Sequence, residues 1–182
     1  DGSYGTTGLR IHQRLQSRTE LELISIPYEE RHSELARRKA YEEADFVFMC
    51  LPDAAAKEAV PMAESCHTRV IDASTAHRTA EGWVYGFPEI SGAKAIEAAP
   101  LVANPGCHAS GVNALIYPLI RNGILSPAQK LQCFSITGYS GGGKKMIGEY
   151  ESDCRDALMD APRMYGLSQQ HKHLPEITAL NG

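Results

Sequence analysis

The chain has 182 residues, of which 43% are hydrophobic, and 18 Lys and Arg stand against 22 Asp and Glu, a formal net charge of −4. The composition is that of an ordinary globular chain, and the acidic balance speaks against a nucleic-acid or membrane-surface protein. Five widely spaced cysteines without a CxxC pair speak against a disulfide framework and predict a reduced, cytoplasmic protein.

The first residues form a glycine-rich loop. Its glycines have the spacing G-x-x-G-x-x-G, and residues 9–15 continue as a predicted helix. Such a loop lets backbone N–H groups approach a pyrophosphate at a helix N-terminus, although an exposed glycine-rich segment is the alternative. The loop supplies the first predicted cofactor-binding residues, which are Gly2, Gly5, Thr6, Thr7 and Gly8.

Short apolar segments then alternate with helical ones. Strands are predicted at 21–26, 46–51, 69–73 and 101–103, and helices at 33–43 and 54–62. This alternation predicts an α/β fold, in which a Rossmann-type parallel sheet is covered on both faces. Ligands of such sheets bind at the carboxyl ends of the strands, so the predicted cofactor site also includes Leu51, Pro52 and Ser74.

Cofactor preference is predicted from the end of the strand at 21–26. No acidic residue ends this strand to bind a ribose 2′-OH, and Arg31 and His32 follow shortly after, beyond Glu29 and Glu30. Because a basic residue there accepts a 2′-phosphate, we expect NADP(H) as the cofactor, with Arg31 contacting the phosphate.

A single cysteine follows the strand at 101–103. Asn104-Pro105-Gly106 breaks the strand, and an apolar segment of helical character starts at Cys107. Free N–H groups at a helix N-terminus favour a thiolate and stabilise an oxyanion, so Cys107 is the predicted nucleophile. A buried, inert cysteine is the alternative.

Beyond this helix, a strand is predicted at 131–137, then a second glycine-rich loop at 138–143 and a helix at 146–158. With Lys144 and Lys145 at its end, the loop is a candidate anion site, or else a connection with solvated lysines. His171 and His173 share one face of an extended segment, but no third ligand has matching spacing, so no metal is expected. A neutral histidine here is the candidate base for Cys107.

Several motifs occur together and in order. They are Gly2-x-x-Gly5-x-x-Gly8, Asp72-Ala-Ser-Thr-Ala-His-Arg78, Tyr85-Gly-Phe-Pro-Glu89, Asn104-Pro-Gly-Cys107, Gly138-Tyr-Ser-Gly-Gly-Gly-Lys144 and His171-Lys-His-Leu-Pro-Glu176. Together they resemble the N-acetyl-γ-glutamyl-phosphate reductase family, more closely its shorter type 2 branch. The chain departs from the family pattern at His108-Ala109-Ser110, directly after the cysteine.

The resemblance implies an NADPH-dependent reduction of N-acetyl-γ-glutamyl phosphate, a step of arginine biosynthesis, in a homo-oligomer. It implies that Cys107 forms a thioester and that His171 is the acid/base, although the sequence leaves open which of His171 and His173 is the base. The implied substrate-binding residues are Arg78, Asn104, Tyr165, His173 and Ser140, and the implied additional cofactor residues are Gly141 and Gly142.

The resemblance also implies two domains. Residues 1–106 would be the NADP-binding domain, and residues 107–182 the start of an α+β catalytic and dimerisation domain of the semialdehyde-dehydrogenase type. Family members are longer and have a strand before the glycine loop, so we expect the 182 residues alone to be inactive and poorly folded.

Three other functions stay open at this point. The first is a sibling reductase acting on another acyl phosphate, such as an aspartyl or aminoadipyl derivative. The second is a Cys–His acyl transferase or hydrolase without nicotinamide, against which the glycine loop counts. The third is a non-catalytic interaction module, against which the presence of both Cys107 and His171 counts.

Overall fold

The computed structural model describes residues 1–182 and contains one sheet of four parallel strands. The strands are β1 Phe46–Met49, β2 Arg69–Asp72, β3 Val84–Tyr85 and β4 Leu101–Ala103. Their order in the sheet is β1-β2-β4-β3, with Val47 beside Val70 and Val84 beside Val102. The predicted parallel sheet is therefore confirmed. The two-residue strand β3 was not predicted.

Eight α-helices accompany the sheet. They are α1 Thr6–Gln16, α2 Glu34–Glu43, α3 Asp53–Ser65, α4 Pro88–Ser91, α5 Ala93–Ala98, α6 Cys107–Arg121, α7 Gly143–Glu151 and α8 Leu174–Asn181. Short 3₁₀ turns lie at Tyr28–Glu30, Tyr139–Gly142 and Ala157–Asp160. The Ser33 hydroxyl caps α2 by accepting from the Ala36 N–H. None of the helices combines the length and the apolar character that crossing a membrane requires.

The main apolar core lies between β1, β2 and the helices α2 and α3. Ala59 and Ala63 are fully buried on α3, and their four-residue spacing places both methyl groups on one face. These small side chains let α3 approach the sheet closely, where Met49 and Val70 have no exposed surface. The core fixes the carboxyl ends of β1 and β2 relative to each other.

Two predicted strands are wrong. Residues 21–26 pair with no strand, and the backbone of Asp1 instead takes the bonding positions beside β1, through Phe48 O and Cys50 N. Residues 131–137 likewise pair with no neighbour and are exposed throughout. A β-strand needs a second strand to satisfy its N–H and C=O groups, and an apolar pattern alone does not supply one.

Candidate active site

The glycine loop packs on the carboxyl end of β1. Gly2 has φ +78°, and a Cβ there would overlap the Cys50 carbonyl. A Cβ on Gly8 would overlap the backbone of Gly2 and Ser3. Gly5, whose N–H donates to Gly2 O over 3.0 Å, precedes the first residue of α1. Only glycine fits at positions 2 and 8, and the resulting main-chain cradle at the start of α1 suits a pyrophosphate.

The loops after β1 and β2 are joined to each other. The Thr75 N–H donates to the Asp53 carboxylate over 2.9 Å, and the Thr75 hydroxyl donates to the same group. Asp53 opens α3, directly after Leu51 and Pro52. The predicted cofactor residues Leu51, Pro52 and Ser74 therefore lie on adjoining loops at one edge of the sheet.

A buried carboxylate orders the loop that carries Arg78. Asp72 has no exposed surface and accepts from the Ser74 N–H at 2.9 Å and the Ser74 hydroxyl at 2.6 Å. Its other partner is His77 Nδ1 at 2.6 Å, and the His77 ring stacks on Trp83 with centroids 4.2 Å apart. These bonds fix the start of the segment Asp72-Ala-Ser-Thr-Ala-His-Arg78.

Residues 104–107, the thiol turn, connect β4 to α6. Gly106 is the N-cap of α6, and Cys107 is its first residue, as the sequence predicts. Cys107 is exposed. The Ser110 N–H and hydroxyl both donate to Gly106 O, at 2.8 and 2.9 Å. The turn thus presents the thiol at a helix N-terminus, where free N–H groups stabilise negative charge.

A close approach explains why position 106 is glycine. A Cβ there would overlap the Glu176 carboxylate and the His173 ring. The motif His171-Lys-His-Leu-Pro-Glu176 therefore lies directly against the motif that carries Cys107.

Glu176 is a residue that the sequence analysis assigned no role. It is 1% exposed, and its carboxylate accepts from Arg78 Nη1 at 2.8 Å, Tyr85 OH at 2.8 Å and the Gly106 N–H at 3.1 Å. The sequence signal was its place in the first turn after Pro175, but its partners lie 70 to 98 residues away. Because these partners are so distant in sequence, no local pattern indicates them.

Four rings, His108, Tyr165, His171 and His173, form the histidine cluster. The His171 and His173 centroids are 4.6 Å apart, and that of His108 lies 6.0 and 5.8 Å from them. His108 bridges the Tyr165 hydroxyl, 3.0 Å from Nε2, and the Ser135 hydroxyl, 2.6 Å from Nδ1. His108, which the sequence analysis noted only as a departure from the family pattern, joins Tyr165 to the two predicted histidines.

Burial keeps the two motif histidines neutral near pH 7. His173 is 4% exposed, and burial lowers its pKa to about 4. Burial also lowers the pKa of His171, with further lowering from His108 and Lys172. The backbone N–H of His173 donates to Nδ1 of the His171 ring at 3.3 Å. Neutral His171 therefore carries its proton on Nε2. In this arrangement His171 can donate a proton to a ligand.

Two predicted substrate-binding residues lie beside the thiol turn. Arg78 donates from Nε to Asn104 O at 3.0 Å, from Nη2 to Ala73 O at 3.3 Å and from Nη1 to Glu176. All three nitrogens of its guanidinium thus donate to protein acceptors. Arg78 therefore has a structural role in addition to any contact with substrate. Asn104 is exposed, and its N–H donates to Asp72 O at 2.7 Å.

Other predicted site residues lie apart from the thiol turn. Ser140, Gly141 and Gly142 lie in an exposed 3₁₀ turn before α7, and their backbone hydrogen bonds stay within that segment. Arg31 lies 3.6 Å over the Tyr28 ring and donates to Tyr28 O at 2.6 Å. No three or more His, Cys, Asp or Glu side chains converge in a metal-binding geometry.

Two family models match the chain. One, described as "Semialdehyde dehydrogenase, NAD binding domain", matches residues 13–99. The other, described as "Semialdehyde dehydrogenase, dimerisation domain", matches residues 107–181. The second match begins at Cys107, the first residue of α6.

Relatives in other organisms match nearly the whole chain. An N-acetyl-gamma-glutamyl-phosphate reductase of Chelativorans sp. (strain BNC1) is 50% identical over 179 residues, which cover 97% of this chain and 57% of that protein. One of Mesorhizobium japonicum is 49% identical over 98% of this chain and 58% of its own length. The chain thus spans less than two thirds of the relatives it matches.

A solved structure has the same fold at low sequence identity. Aspartate semialdehyde dehydrogenase from Francisella tularensis superposes with a TM-score of 0.55 and 13% identity, over 87% of this chain and 51% of that one. The α/β fold is therefore shared.

Proposed function

Because the chain belongs to the semialdehyde dehydrogenase family, we propose that the protein which carries it reduces an acyl phosphate to a semialdehyde. The proposed substrate is N-acetyl-γ-glutamyl phosphate, and the proposed reductant is NADPH. The names of the relatives at 50% and 49% identity support this substrate. The reaction would belong to arginine biosynthesis.

One observation carries the proposal. An exposed cysteine opens α6 at the carboxyl edge of a parallel sheet, and the preceding residue contacts the histidine-bearing segment. A thiol at a helix N-terminus, on a turn that packs against the neutral His173 ring, suits covalent acyl transfer. A serine there would form an ester, which hydride reduces much less readily than a thioester.

The chain's residues would act in two steps. In the first, the Cys107 thiolate attacks the γ-acyl carbon, the bond from that carbon to the phosphate oxygen breaks, and phosphate leaves with the bonding electrons. In the second, the thiohemiacetal oxyanion left by reduction would re-form its C=O bond as the C–S bond breaks, so the Cys107 sulfur leaves as thiolate and the aldehyde is released. The Nε2–H of His171 would donate to the oxygen on which negative charge develops.

The glycine loop fits a nicotinamide dinucleotide, since Gly2 and Gly8 let the main chain pack closely at the start of α1, where helix N–H groups can bind a pyrophosphate. When bound, such a cofactor supplies the hydride that reduces the thioester. The loops at Leu51, Pro52 and Ser74 would line the same edge. We propose residues 1–106 as the cofactor domain and residues 107–182 as part of the catalytic and dimerisation domain.

The description of the second family model supports a homo-oligomer. We place the protein in the cytoplasm, since all five cysteines are free thiols. Ser140, Gly141 and Gly142 keep their proposed roles at the phosphate or cofactor site, and Tyr165 and His173 theirs in orienting the substrate.

The direct test is phosphate-dependent reduction of NADP⁺ by the intact protein with N-acetylglutamate semialdehyde, followed at the absorbance of NADPH. Aspartate semialdehyde is the competing substrate. Turnover with N-acetylglutamate semialdehyde that needs phosphate supports the proposal. Turnover with aspartate semialdehyde alone would instead identify a sibling reductase. Thioester or ester hydrolysis without any NADP⁺ reduction would identify a Cys–His hydrolase.

Arg31 provides a test of cofactor choice. We propose that its guanidinium, positioned by the Tyr28 ring, contacts the 2′-phosphate. Arg31→Ala should then weaken NADPH binding by about 1–3 kcal/mol, the value of one charge-assisted hydrogen bond, and leave NADH binding unchanged. Fluorescence titration of both cofactors measures this. Equal losses for the two cofactors would remove Arg31 as the discriminating residue.

A further inference from the structure

The Glu176 carboxylate of α8 is buried and accepts three hydrogen bonds from other parts of the chain. Oε1 accepts from Arg78, and Oε2 accepts both from the Tyr85 hydroxyl and from the Gly106 N–H. All three partners donate, so the group acts only as an acceptor, which an ionised carboxylate does. It holds together the loop after β2, strand β3 and the thiol turn.

The charge of Glu176 is compensated where it lies. A carboxylate that is 1% exposed is costly unless it is paired and fully hydrogen-bonded. The Arg78 side chain, 8% exposed, supplies the opposite charge. Burial and the bond to Glu176 raise the pKa of Tyr85, so its hydroxyl stays protonated and donates. Removing the carboxylate charge would leave a buried guanidinium without its partner.

The same group of side chains extends into α6 and α8. Asn113 of α6 donates to the Tyr85 hydroxyl at 3.3 Å, and Asn181 of α8 donates to Asn113 Oδ1 at 2.7 Å. Asn113, Tyr85 and Asn181 are all buried. A continuous set of hydrogen bonds therefore ties the helix that begins at Cys107 to the helix that follows the histidine cluster.

The hydrogen bond to Gly106 is the contact of Glu176 that lies next to the proposed nucleophile, Cys107. Gly106 is the N-cap of α6, so its N–H sets how the chain enters the helix at Cys107. Its carbonyl is fixed separately by Ser110. Glu176 and Ser110 thus hold the peptide groups of the residue that precedes Cys107, the backbone from which its side chain leaves the turn.

We propose that Glu176 is a positioning residue for Cys107, holding the thiol turn against the histidine cluster through the Gly106 N–H and the ion pair with Arg78. This inference rests on the proposed function for its kinetic readout and on thiol reactivity for a second readout that needs no substrate. Glu176 acts through Gly106, and its hydrogen bonds go to Arg78, Tyr85 and Gly106, not to the thiol.

Glu176→Gln is the variant that tests this. Glutamine keeps the size of the side chain, but its amide nitrogen presents donors. Either Arg78, or both Tyr85 and Gly106, then lose their acceptor. We expect kcat to fall about 100-fold with KM changed by less than about threefold, since a small misplacement of a reacting group has such an effect. Glu58→Gln, an exposed glutamate of α3, is the matched control and should resemble the wild type.

The substrate-free readout is the rate at which iodoacetamide alkylates Cys107, measured by peptide mass spectrometry relative to the exposed thiol of Cys133. In Glu176→Gln this ratio should fall about two- to fivefold, because the thiolate loses its place at the helix N-terminus. A folded variant with the wild-type ratio and wild-type kcat overturns the proposal, even if its melting temperature is lower. If wild-type protein shows no reductase turnover, the proposed function fails while the alkylation ratio still decides the role of Glu176.

Tyr85→Phe serves if Glu176→Gln does not fold. It removes the hydrogen bond from the hydroxyl to Oε2, together with the one that the hydroxyl accepts from Asn113, and leaves the ion pair in place. The alkylation ratio of Cys107 should then fall about twofold, with kcat lowered several-fold. Unchanged values of both quantities in the folded Tyr85→Phe protein would overturn the proposal.

Discussion

Two regions of the chain bury their side chains to very different extents. All 22 buried residues lie within residues 1–113 and 173–181, and none lies within 114–172. In the first region, polar groups find partners far away in sequence, as Glu176 and Arg78 do at a separation of 98 residues. In the second, the ion pair is local, between Arg155 and Asp160.

The two regions differ in the partners that their apolar side chains find. Residues 131–137 include Leu131, Phe134 and Ile136, yet Phe134 and Ile136 are 83% and 85% exposed, whereas Met49 of β1 is fully buried. Burial of apolar surface is what stabilises a fold, and it depends on elements brought together from distant parts of the chain. The candidate active site draws on both regions. Cys107, His173 and Glu176 lie in the first region, whereas His171, Ser135 and Tyr165 lie in the second.

The largest expected effect on stability compares one side chain from each region. Met49→Ala should lower the free energy of unfolding by about 2–5 kcal/mol, because it leaves a cavity in the core. Phe134→Ala should change it by less than about 0.5 kcal/mol, because the ring is exposed. Urea unfolding of both variants measures the two values. A similar cost for both would show that residues 114–172 bury their apolar side chains, for example in an interface.

The pH dependence of stability tests the burial of a single group in the first region, the His173 imidazole. His173 has a pKa of about 4 in the folded chain, against about 6.5 when unfolded, so the unfolded state binds more protons between these values. Stability should therefore fall by about 3 kcal/mol as the pH decreases from 6.5 to 4. Thermal melts of wild type and His173→Asn across this range measure it. Equal pH slopes for the two proteins would contradict the buried state of His173.

A glycine pair on the same helix gives the smallest effect. Gly106→Ala should cost about 1–3 kcal/mol, since its Cβ would overlap Glu176 and His173. Gly111→Ala, five residues on and with open space around its Cβ, should stabilise α6 by up to about 1 kcal/mol. Melting temperatures of the two variants provide the check. A loss for Gly111→Ala as large as that for Gly106→Ala would show that close packing at the thiol turn is not the cause.

The sequence predicted those parts of the fold that depend on local pattern. Strands β1, β2 and β4 and the start of α6 lie where short apolar segments and the Pro105-Gly106 break placed them. The strands at 21–26 and 131–137 were wrong because a strand exists only with a neighbour, and pairing is not a property of the segment itself.

The candidate site was predictable only where motif and element coincide. Cys107 lies at the start of its helix as expected, and the glycine loop lies at the end of β1. The part played by Glu176 could not be foreseen, since it depends on Arg78, Tyr85 and Gly106 meeting in the folded chain. His108 likewise acquires its neighbours only through the docking of the segment 165–173.

Cys107 is the proposed nucleophile, and its acyl-enzyme is the species to detect. The intact protein is mixed with N-acetyl-γ-glutamyl phosphate without NADPH, quenched in acid and examined by peptide mass spectrometry, with Cys107→Ser alongside. We expect the N-acetylglutamyl mass on the Cys107 peptide of the wild type, its loss on addition of NADPH, and no thioester in the variant. An acyl group on another cysteine, or full reductase turnover by Cys107→Ser, would contradict the account.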